Sequence, residues 1–420
     1  ACDMSRKIYL PVLGIWEDID DVTLLNGVPK VASDGSLVDS SGAPVSVAAA
    51  ARFPSVAVSG ASISLTIAHI GKLVRVTTGA SDSAVSLPAS ATNGDTLITA
   101  KADTGAGKVN ISSDTAWLIA QDDVVQWVYN GSAWAALDWR ISPVRQVFTS
   151  TGVYTRFPLS RYVYPKLIGG GGGGGGGRKG AAGSVRCGGG GGQAGGYSER
   201  LFPAGLLGAP LTQVPVTIGA AGVGGSAQTA NSTAGNSGLG GSATSFGTLL
   251  VAQGGAAGIG GTSSSGSGGS LNGVGIISAV SGAAASTTGG AGVAATTHGA
   301  IAASGSSGGG ITSGNVDSAG AAGRNGGRMG NDLAAGAAGA SAGGNGGDGQ
   351  SQPTDFSLGF FGGSSGGSGG SSLVGNGGNG GKGGWPGGGG SGGGAAVDSV
   401  GNAGAGGDGA DGAAEITTLF

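Results

Sequence analysis

The sequence predicts a mainly β chain that ends in a polyglycine-II helix bundle: small antiparallel β-domains followed by a glycine-rich sandwich of stacked three-residue helices. Three observations carry this fold class. Glycine supplies 100 of the 420 residues, against an ordinary usage of about 7%. Twelve of these glycines precede Leu167 and 88 lie after Ile168, so the chain reads as two proteins in series. Ahead of that boundary, short alternating apolar segments are separated by turn residues, the pattern of strands with one buried face.

Taken in order, residues 1–55 hold short extended pieces such as Ile8-Tyr9-Leu10 and Val22-Thr23-Leu24-Leu25, punctuated by Asn26-Gly27, Asp34-Gly35 and Ser41-Gly42. A segment so thin in apolar residues reads as an attachment arm ordered by a partner or by sister chains. Residues 56–140 alternate through Ile63, Leu65 and Ile67, then Val74 and Val76, Val85 and Leu87, Val109 and Ile111, and Val125 and Trp127. An antiparallel β-domain is the expectation, with Asn130-Gly131 a hairpin turn whose two central residues need positive φ. Trp117, Trp127, Trp134 and Trp139 read as core aromatics or as a sugar-stacking surface. Residues 141–168 are expected to be a short β connector, and 169–420 the glycine-rich domain.

That last domain opens with nine consecutive glycines, residues 169–177. With no side chains to encode a helix or sheet, the run suits polyproline-II geometry, three residues per turn and about 28 Å long. Low charge with high glycine and serine otherwise predicts disorder. Order therefore requires bare helices packed side by side, each donating to and accepting from its neighbours. Gly-Gly-x triplets such as those in residues 375–384 repeat the idea, placing every x along one edge. A collagen reading is disfavoured, because only 13 prolines occur and no Gly-x-y period is kept.

Charge is sparse and nearly balanced, 20 Lys+Arg against 23 Asp+Glu, which gives no general attraction to nucleic acid or to an anionic membrane. Two cysteines, Cys2 and Cys187, are too few for a disulfide framework and suit a reducing cytosol. The apolar stretch from Ile8 to Trp16 is broken by Pro11 and followed by acids, unlike a signal peptide. No run approaches the ~18 apolar residues of a membrane span.

The chemistry of an enzyme is not expected. The two histidines, His69 and His298, lie far from any argued nucleophile. Matches to G-x-G-x-x-G arise from composition, and Gly381-Lys382-Gly383 lacks the Ser/Thr of a phosphate loop. Residues 343–351 with Asp348 and 406–414 with Asp411 fit the calcium β-roll nonapeptide, but they are not tandem. Neither cofactor nor metal is expected. Eight basic residues, Arg140, Arg145, Arg156, Arg161, Lys166, Arg178, Lys179 and Arg186, occur with no acid between Asp138 and Glu199. They read as solvated strand faces at the base of the bundle, or as an attraction to phosphorylated lipopolysaccharide.

The stretch from Phe148 to Thr155, Leu167-Ile168 before the glycine run, Gly195 to Arg200, Val214 to Gly219, Gly241 to Gly247, and Gly406 to Gly412 before an apolar strand together resemble the glycine-rich domain of many phage tail and fibre proteins. The ordered series covers about two thirds of the chain. Residues 71–76, 87–95 and 128–134 are similar to a small β-module common in phage tails, and the C-terminal half is similar in kind to the fibre-tip adhesin of T-even-like phages. The resemblance implies a virion tail-fibre protein, assembled in the host cytoplasm, that binds a bacterial outer-surface receptor, either an outer-membrane protein or lipopolysaccharide. It implies attachment to tail or baseplate proteins through the N-terminus and a homotrimer of intertwined fibre chains.

Candidate receptor contacts are the large apolar groups in loops between glycine runs: Phe356 with Phe360 and Phe361, Leu373 with Val374, Trp385, and Leu271 with Ile276 and Ile277. Large side chains do not fit between packed glycine helices, so they belong at bundle ends or edges, as a binding surface or as caps. Two rival functions stand beside adhesion: an ice-binding protein, which wants repeated Thr or Ala rows, and a fibre shaft without receptor contact.

Overall fold

The computed structural model describes residues 54–112, 115–270, 281–295, 302–327 and 333–420, together with the backbone of four short strands before them. Of these, β1 (Lys7–Leu10) pairs antiparallel with β2 (Ile15–Asp18), and β3 (Lys30–Val31) with β4 (Leu37–Val38). Most of the expected attachment arm, with Cys2, lies outside the described residues, as do Leu271, Ile276, Ile277 and His298. The chain divides into two compact units, residues 1–142 and 143–420.

In the first unit, strands β5 (Ser55–Ser59), β7 (Leu73–Thr77) and β9 (Thr96–Lys101) run parallel in one sheet. Strands β6 (Ser62–Ser64), β8 (Ser83–Ser86) and β10 (Val109–Ile111) run parallel in the facing sheet. Within these two sheets, antiparallel pairing is confined to β11 (Ala116–Leu118) on β10, and β12 (Val124–Tyr129) on β9 with β13 (Trp134–Arg140) on β12. The antiparallel expectation for 56–140 is thus corrected to three parallel coils closed by an antiparallel cap. Alternation marks a half-buried strand but not the direction of its neighbour. The turns at Gly60-Ala61 and at residues 78–82 carry the chain across to the facing sheet rather than back along the same one.

Ile63, Val74, Val76, Val85, Leu97, Val109, Ile111, Leu118, Val125 and Trp127 fill the space between these sheets. Trp127 is fully buried and donates its indole N–H to Thr99 at 2.9 Å, so it is core rather than a sugar platform. A hairpin forms at Asn130-Gly131, but not the expected turn with positive φ at both residues: Tyr129 pairs with Trp134, only Gly131 has positive φ, and the Asn130 side chain closes the longer loop by accepting the Ser132 and Ala133 amides. Lys101 is wholly buried, and its ammonium donates to the Asp103 carboxylate at 2.7 Å, to Thr78 and to the Gly105 carbonyl. The pair is local, and its hydrogen bonds to Thr78 and Gly79 join it to the preceding coil's turn; Lys101 with the Gly79 and Thr78 amides holds the Asp103 carboxyl well below the usual range.

The second unit begins with β14 (Val144–Phe148), β15 (Gly152–Thr155) and β16 (Tyr162–Ile168). Strand β24 (Ala413–Leu419) lies between β14 and β16, and β18 (Tyr197–Glu199) and β19 (Phe202–Pro203) pair with the other side of β16. Residues 141–168 are therefore no separate connector; they supply two strands of the sheet that β24 completes. A second sheet follows the order β15, β20 (Gln213–Thr217), β21 (Thr244–Phe246), β22 (Leu250–Ala252). Tyr154, Phe246, Val216, Val163 and Leu167 are buried between the two, where the Tyr154 hydroxyl meets Thr418 at 2.8 Å. A two-residue parallel pair, β17 (Lys179–Gly180) with β23 (Ala396–Val397), lies beyond the glycine run.

Between these pairs the backbone follows a period of three. Gly169, Gly172 and Gly175 donate their amides to Gly196, Gln193 and Gly190. Gly170, Gly173 and Gly176 donate to Ser242, Leu239 and Asn236, and Gly171, Gly174 and Gly177 to Ala410, Gly407 and Gly404. Three further segments donate back onto the same run: Gly222 and Gly225 onto Gly171 and Gly174, Gly255, Gly258 and Gly261 onto Gly170, Gly173 and Gly176, and Gly390 and Gly393 onto Gly172 and Gly175. The run thus bonds six neighbours, three of them antiparallel and three parallel. Residues 187–196 and 387–395 are bonded on several sides in the same way.

Such close approach leaves no room for a Cβ: one built on Gly173 would run into the Val223 carbonyl, and one on Gly174 into that of Ser391. Serine enters the interior only where its hydroxyl takes a place in the lattice. Ser365, Ser368 and Ser371, all fully buried, accept the amides of Arg324, Ala321 and Ser318, a second series in steps of three. The Ser368 and Ser371 hydroxyls then donate to the carbonyls of Ser307 and Gly310. These three buried hydroxyls are each satisfied by partners, which removes the desolvation cost of an orphan.

Gly173→Val is expected to destabilise the second unit by at least about 3 kcal/mol, since neither neighbouring backbone can yield. Thermal and denaturant unfolding of the variant against the parent checks this, and unchanged melting refutes the steric account.

Candidate functional site

The alternating directions of the segments give the second unit two ends. Residues 169–177 leave the sheets at Ile168 and finish at Arg178; residues 187–196 return from Arg186 to Tyr197; residues 387–395 run from Pro386 to β23. One end therefore carries the sheets, and the far end carries the loops at 178–186, 228–234, 312–317, 372–376 and 397–402.

Of the expected receptor contacts, Phe356, Phe360, Phe361 and Trp385 lie at the sheet end, the three phenylalanines buried and Trp385 half-buried. Phe356 and Phe361 are 1% exposed and Phe360 is 8%. Phe356 and Phe360 pack on Ile168, Tyr197 and Ala413 with Trp385 against them, ring centroids 4.7 Å apart between the two phenylalanines and 5.1 Å between Phe356 and Trp385. The Trp385 indole donates to the Gly412 carbonyl at 3.2 Å. Leu373 stands alone at the far end, half-buried on Ile311, Ala395 and Val397. The expectation that these side chains are displayed on loops is corrected. The same size that excludes them from between glycine segments drives them onto the one apolar sheet surface available.

Beside the aromatic cluster, charges line the same sheet face. Glu415, 4% exposed, takes Arg145 at 2.5 Å and Lys166 at 3.2 Å from the strands on either side. Across β16, the hydroxyls of Tyr164 and Tyr197 donate to one oxygen of Glu199 at 2.5 and 2.6 Å. Burial, the Glu199 hydrogen bond and the charges of Glu199 and Glu415 push the Tyr164 phenol up to about 12, and the same causes raise Tyr197. Arg145 and Lys166 thus brace strands at the sheet end, whereas Arg178, Lys179 and Arg186 stand at the far end. Placing all the basic residues at the base of the bundle is corrected for these three.

The far-end loops hold the exposed apolar groups: Val374, which the sequence singled out beside Leu373, and Val316 and Val400, which it did not. Val374 is 82% exposed, Val316 59% and Val400 50%. The 372–376 and 397–402 loops are adjacent, since Asn402 donates its amide to the Asn376 side chain at 2.8 Å. Loop 178–186 joins 312–317 through the Gly183 amide and Asn315 at 2.8 Å. The available signal was register: each valine falls where the Gly-Gly-x triplet is interrupted by a turn, as in Ser372-Leu373-Val374-Gly375.

Along the flanks, side chains recur at every third residue. Asn345 and Asp348 accept the amides of Asn379 and Lys382, Asn376 and Asn379 those of Asn402 and Ala405, and Asp408 and Asp411 those of Gly224 and Ala221. Asp348 and Asp411 thus each commit an oxygen to a neighbouring backbone. Among the described residues no three His, Cys, Asp or Glu side chains come together as metal ligands. Another flank is uncharged: no Asp, Glu, Lys or Arg occurs between Arg200 and Asp317. There Val223, Leu239 and Ile259 stand exposed in one row across bonded segments. His69 lies in the first unit, its ring nitrogen 3.0 Å from the Thr66 amide in a local turn.

The raised Tyr164 pKa favours the neutral phenol in the folded chain. Its contribution is complete below pH 10 and is lost as pH climbs toward about 12. Alkaline spectrophotometric titration should show delayed phenolate formation, and Glu199→Gln should bring part of that signal back toward 10; an unchanged titration in the variant refutes the assignment. Set against known protein families the chain matches none, and no curated protein is significantly similar to it.

Proposed function

We propose that the hydrogen-bonded segments described within residues 169–412 form a bundle of polyglycine-II helices, and that the chain is a phage tail-fibre protein that attaches a virion to the bacterial surface through loops at the far end of that bundle. The observation that carries the reading is the three-residue hydrogen-bond period around residues 169–177, with six bonded neighbours. A polyproline-II helix of glycine has three residues per turn and no internal hydrogen bonds, so it is completed only by such neighbours. A scaffold held by its backbone leaves loop side chains free to change without loss of the frame, which suits recognition of a variable receptor. Exposed Val316, Val374 and Val400, beside polar Asn315, Asn376 and Asn402, offer a rigid apolar contact of the kind protein interfaces use.

The receptor is an outer-membrane protein or lipopolysaccharide. The N-terminal residues join the fibre to other tail or baseplate proteins, and the fibre is a homotrimer through its N-terminal half. Ice binding is disfavoured by the central row of the uncharged flank, which reads Val223, Leu239, Ile259 rather than repeated Thr or Ala.

Sedimentation of the full chain should give a trimer, and a monomer removes that element of the reading. In adsorption assays on a panel of Gram-negative strains, the labelled chain should bind a subset of them. Combined Val316→Ser, Val374→Ser and Val400→Ser should abolish that binding with melting unchanged, whereas Phe356→Ala should lower stability by about 3 kcal/mol. Binding that survives the triple change refutes the far-end site, and failure of the parent to bind any strain favours a fibre shaft.

A further inference from the structure

We infer that Arg178 and Arg186 form an oxyanion-binding site at the far end of the second unit, arranged about Gly180. Both side chains approach the Cα of Gly180: a Cβ built there would lie 2.9 Å from Arg186 Cγ and 3.0 Å from Arg178 Nε. Glycine at this position thus lets the aliphatic stem of Arg186 and the guanidinium of Arg178 meet over its Cα. Arg186 is 0% exposed. Its guanidinium donates to the Asn315 side chain at 2.7 Å and, at longer range, to the carbonyls of Thr312 at 3.4 Å and Gly180 at 3.5 Å. Its Nε and that of Arg178 are both buried and have no hydrogen-bond partner.

Among the described residues no carboxylate contacts this charge directly. Asp398 is the acid whose field Arg186 feels, but both of its oxygens serve Ser232, at 2.8 Å from the amide and 2.6 Å from the hydroxyl. Lys179 adds a third cation nearby, buried and donating to the Thr229 carbonyl at 2.9 Å. No ion pair joins Arg178, Lys179 or Arg186 to a carboxylate among the described residues. Two like charges held together with unpaired buried donors are costly unless an anion bridges them. Guanidinium groups match the planar, multidentate geometry of phosphate and carboxylate oxygens. Arg178 is only half-buried and gives such a group its approach from solvent.

The ligand chemistry is a phosphate-type oxyanion, free or carried on a surface glycan. The site rests on the proposed function only for which of these sources matters, since binding of a free anion is independent of any cell. Calorimetric titration of the full chain with inorganic phosphate, at constant ionic strength set with chloride, should show saturable binding. Arg178→Gln should weaken it about tenfold or more, the loss of one charge-assisted contact, and Gly180→Ala should weaken it by pushing the two arginine side chains apart. Circular dichroism of each variant establishes that it folds. A second titration with glucose 1-phosphate separates the sources: tighter binding than inorganic phosphate assigns a phosphorylated glycan, and weaker binding a free anion. Absence of saturable phosphate binding in the parent overturns the site, as does equal affinity in a folded Arg178→Gln. Phosphate binding without adsorption to any cell leaves the site standing and refutes the receptor reading alone.

Discussion

The backbone hydrogen bond between neighbouring glycine segments is the interaction on which the second unit depends. Each such bond contributes only about 1 kcal/mol net, and ordering a glycine costs about as much or more. No single pair of segments is therefore stable alone. What holds the array is multiplicity: residues 169–177 bond in six directions at once, so removal of any one neighbour strands donors and acceptors on several others. Ser365, Ser368 and Ser371 follow the same logic, because each hydroxyl replaces a backbone group rather than occupying a hydrophobic hole.

The two ends of the unit meet different demands. At the sheet end, Phe356, Phe360 and Trp385 close over Ile168 and Tyr197, and the Arg145–Glu415–Lys166 series crosses three strands. This end is a conventional packed core in which side chains carry the stability. At the far end there is almost no core beyond Ile311, Ala395 and Val397, and the loops are held by short polar links such as Gly183 to Asn315. Substitutions there disturb little beneath them.

Much of this arrangement was legible in the sequence, and the losses have physical causes. The break at Ile168 and the period of three follow from local residue chemistry and are found where that chemistry puts them, whereas Asn130-Gly131 marks the place of a hairpin but not its loop length, because the Asn130 side chain stabilises a four-residue loop instead. Strand direction in residues 55–111 is not local: Val74 and Val76 alternate identically beside a parallel or an antiparallel partner. The fate of Phe356, Phe360 and Phe361 was half legible, since their bulk excludes them from the lattice but does not say which end receives them. Only the count of reversals between Gly169 and Pro386 decides that, and the masses of glycine between conceal where each reversal falls. Arg178 and Arg186 were visible as charges, while their convergence on Gly180 depends on two passes of the chain meeting at one end.

The placement of β24 bears on how the chain is made. Gly171 bonds Ala410, and β24 fills the gap between β14 and β16, so the earliest residues of the second unit find their partners only after some two hundred more have been synthesised. At ribosomal rates of about 5 to 20 residues per second, that delay is on the order of tens of seconds. During it, β14 and one side of β16 stand as open strand edges, and the faces of the glycine run that await residues 390–393 and 404–410 are unpaired and able to bond a similar segment on a neighbouring nascent chain. High cellular expression therefore sets intermolecular pairing in competition with completion of the molecule, and slower initiation or a holding chaperone is the natural remedy.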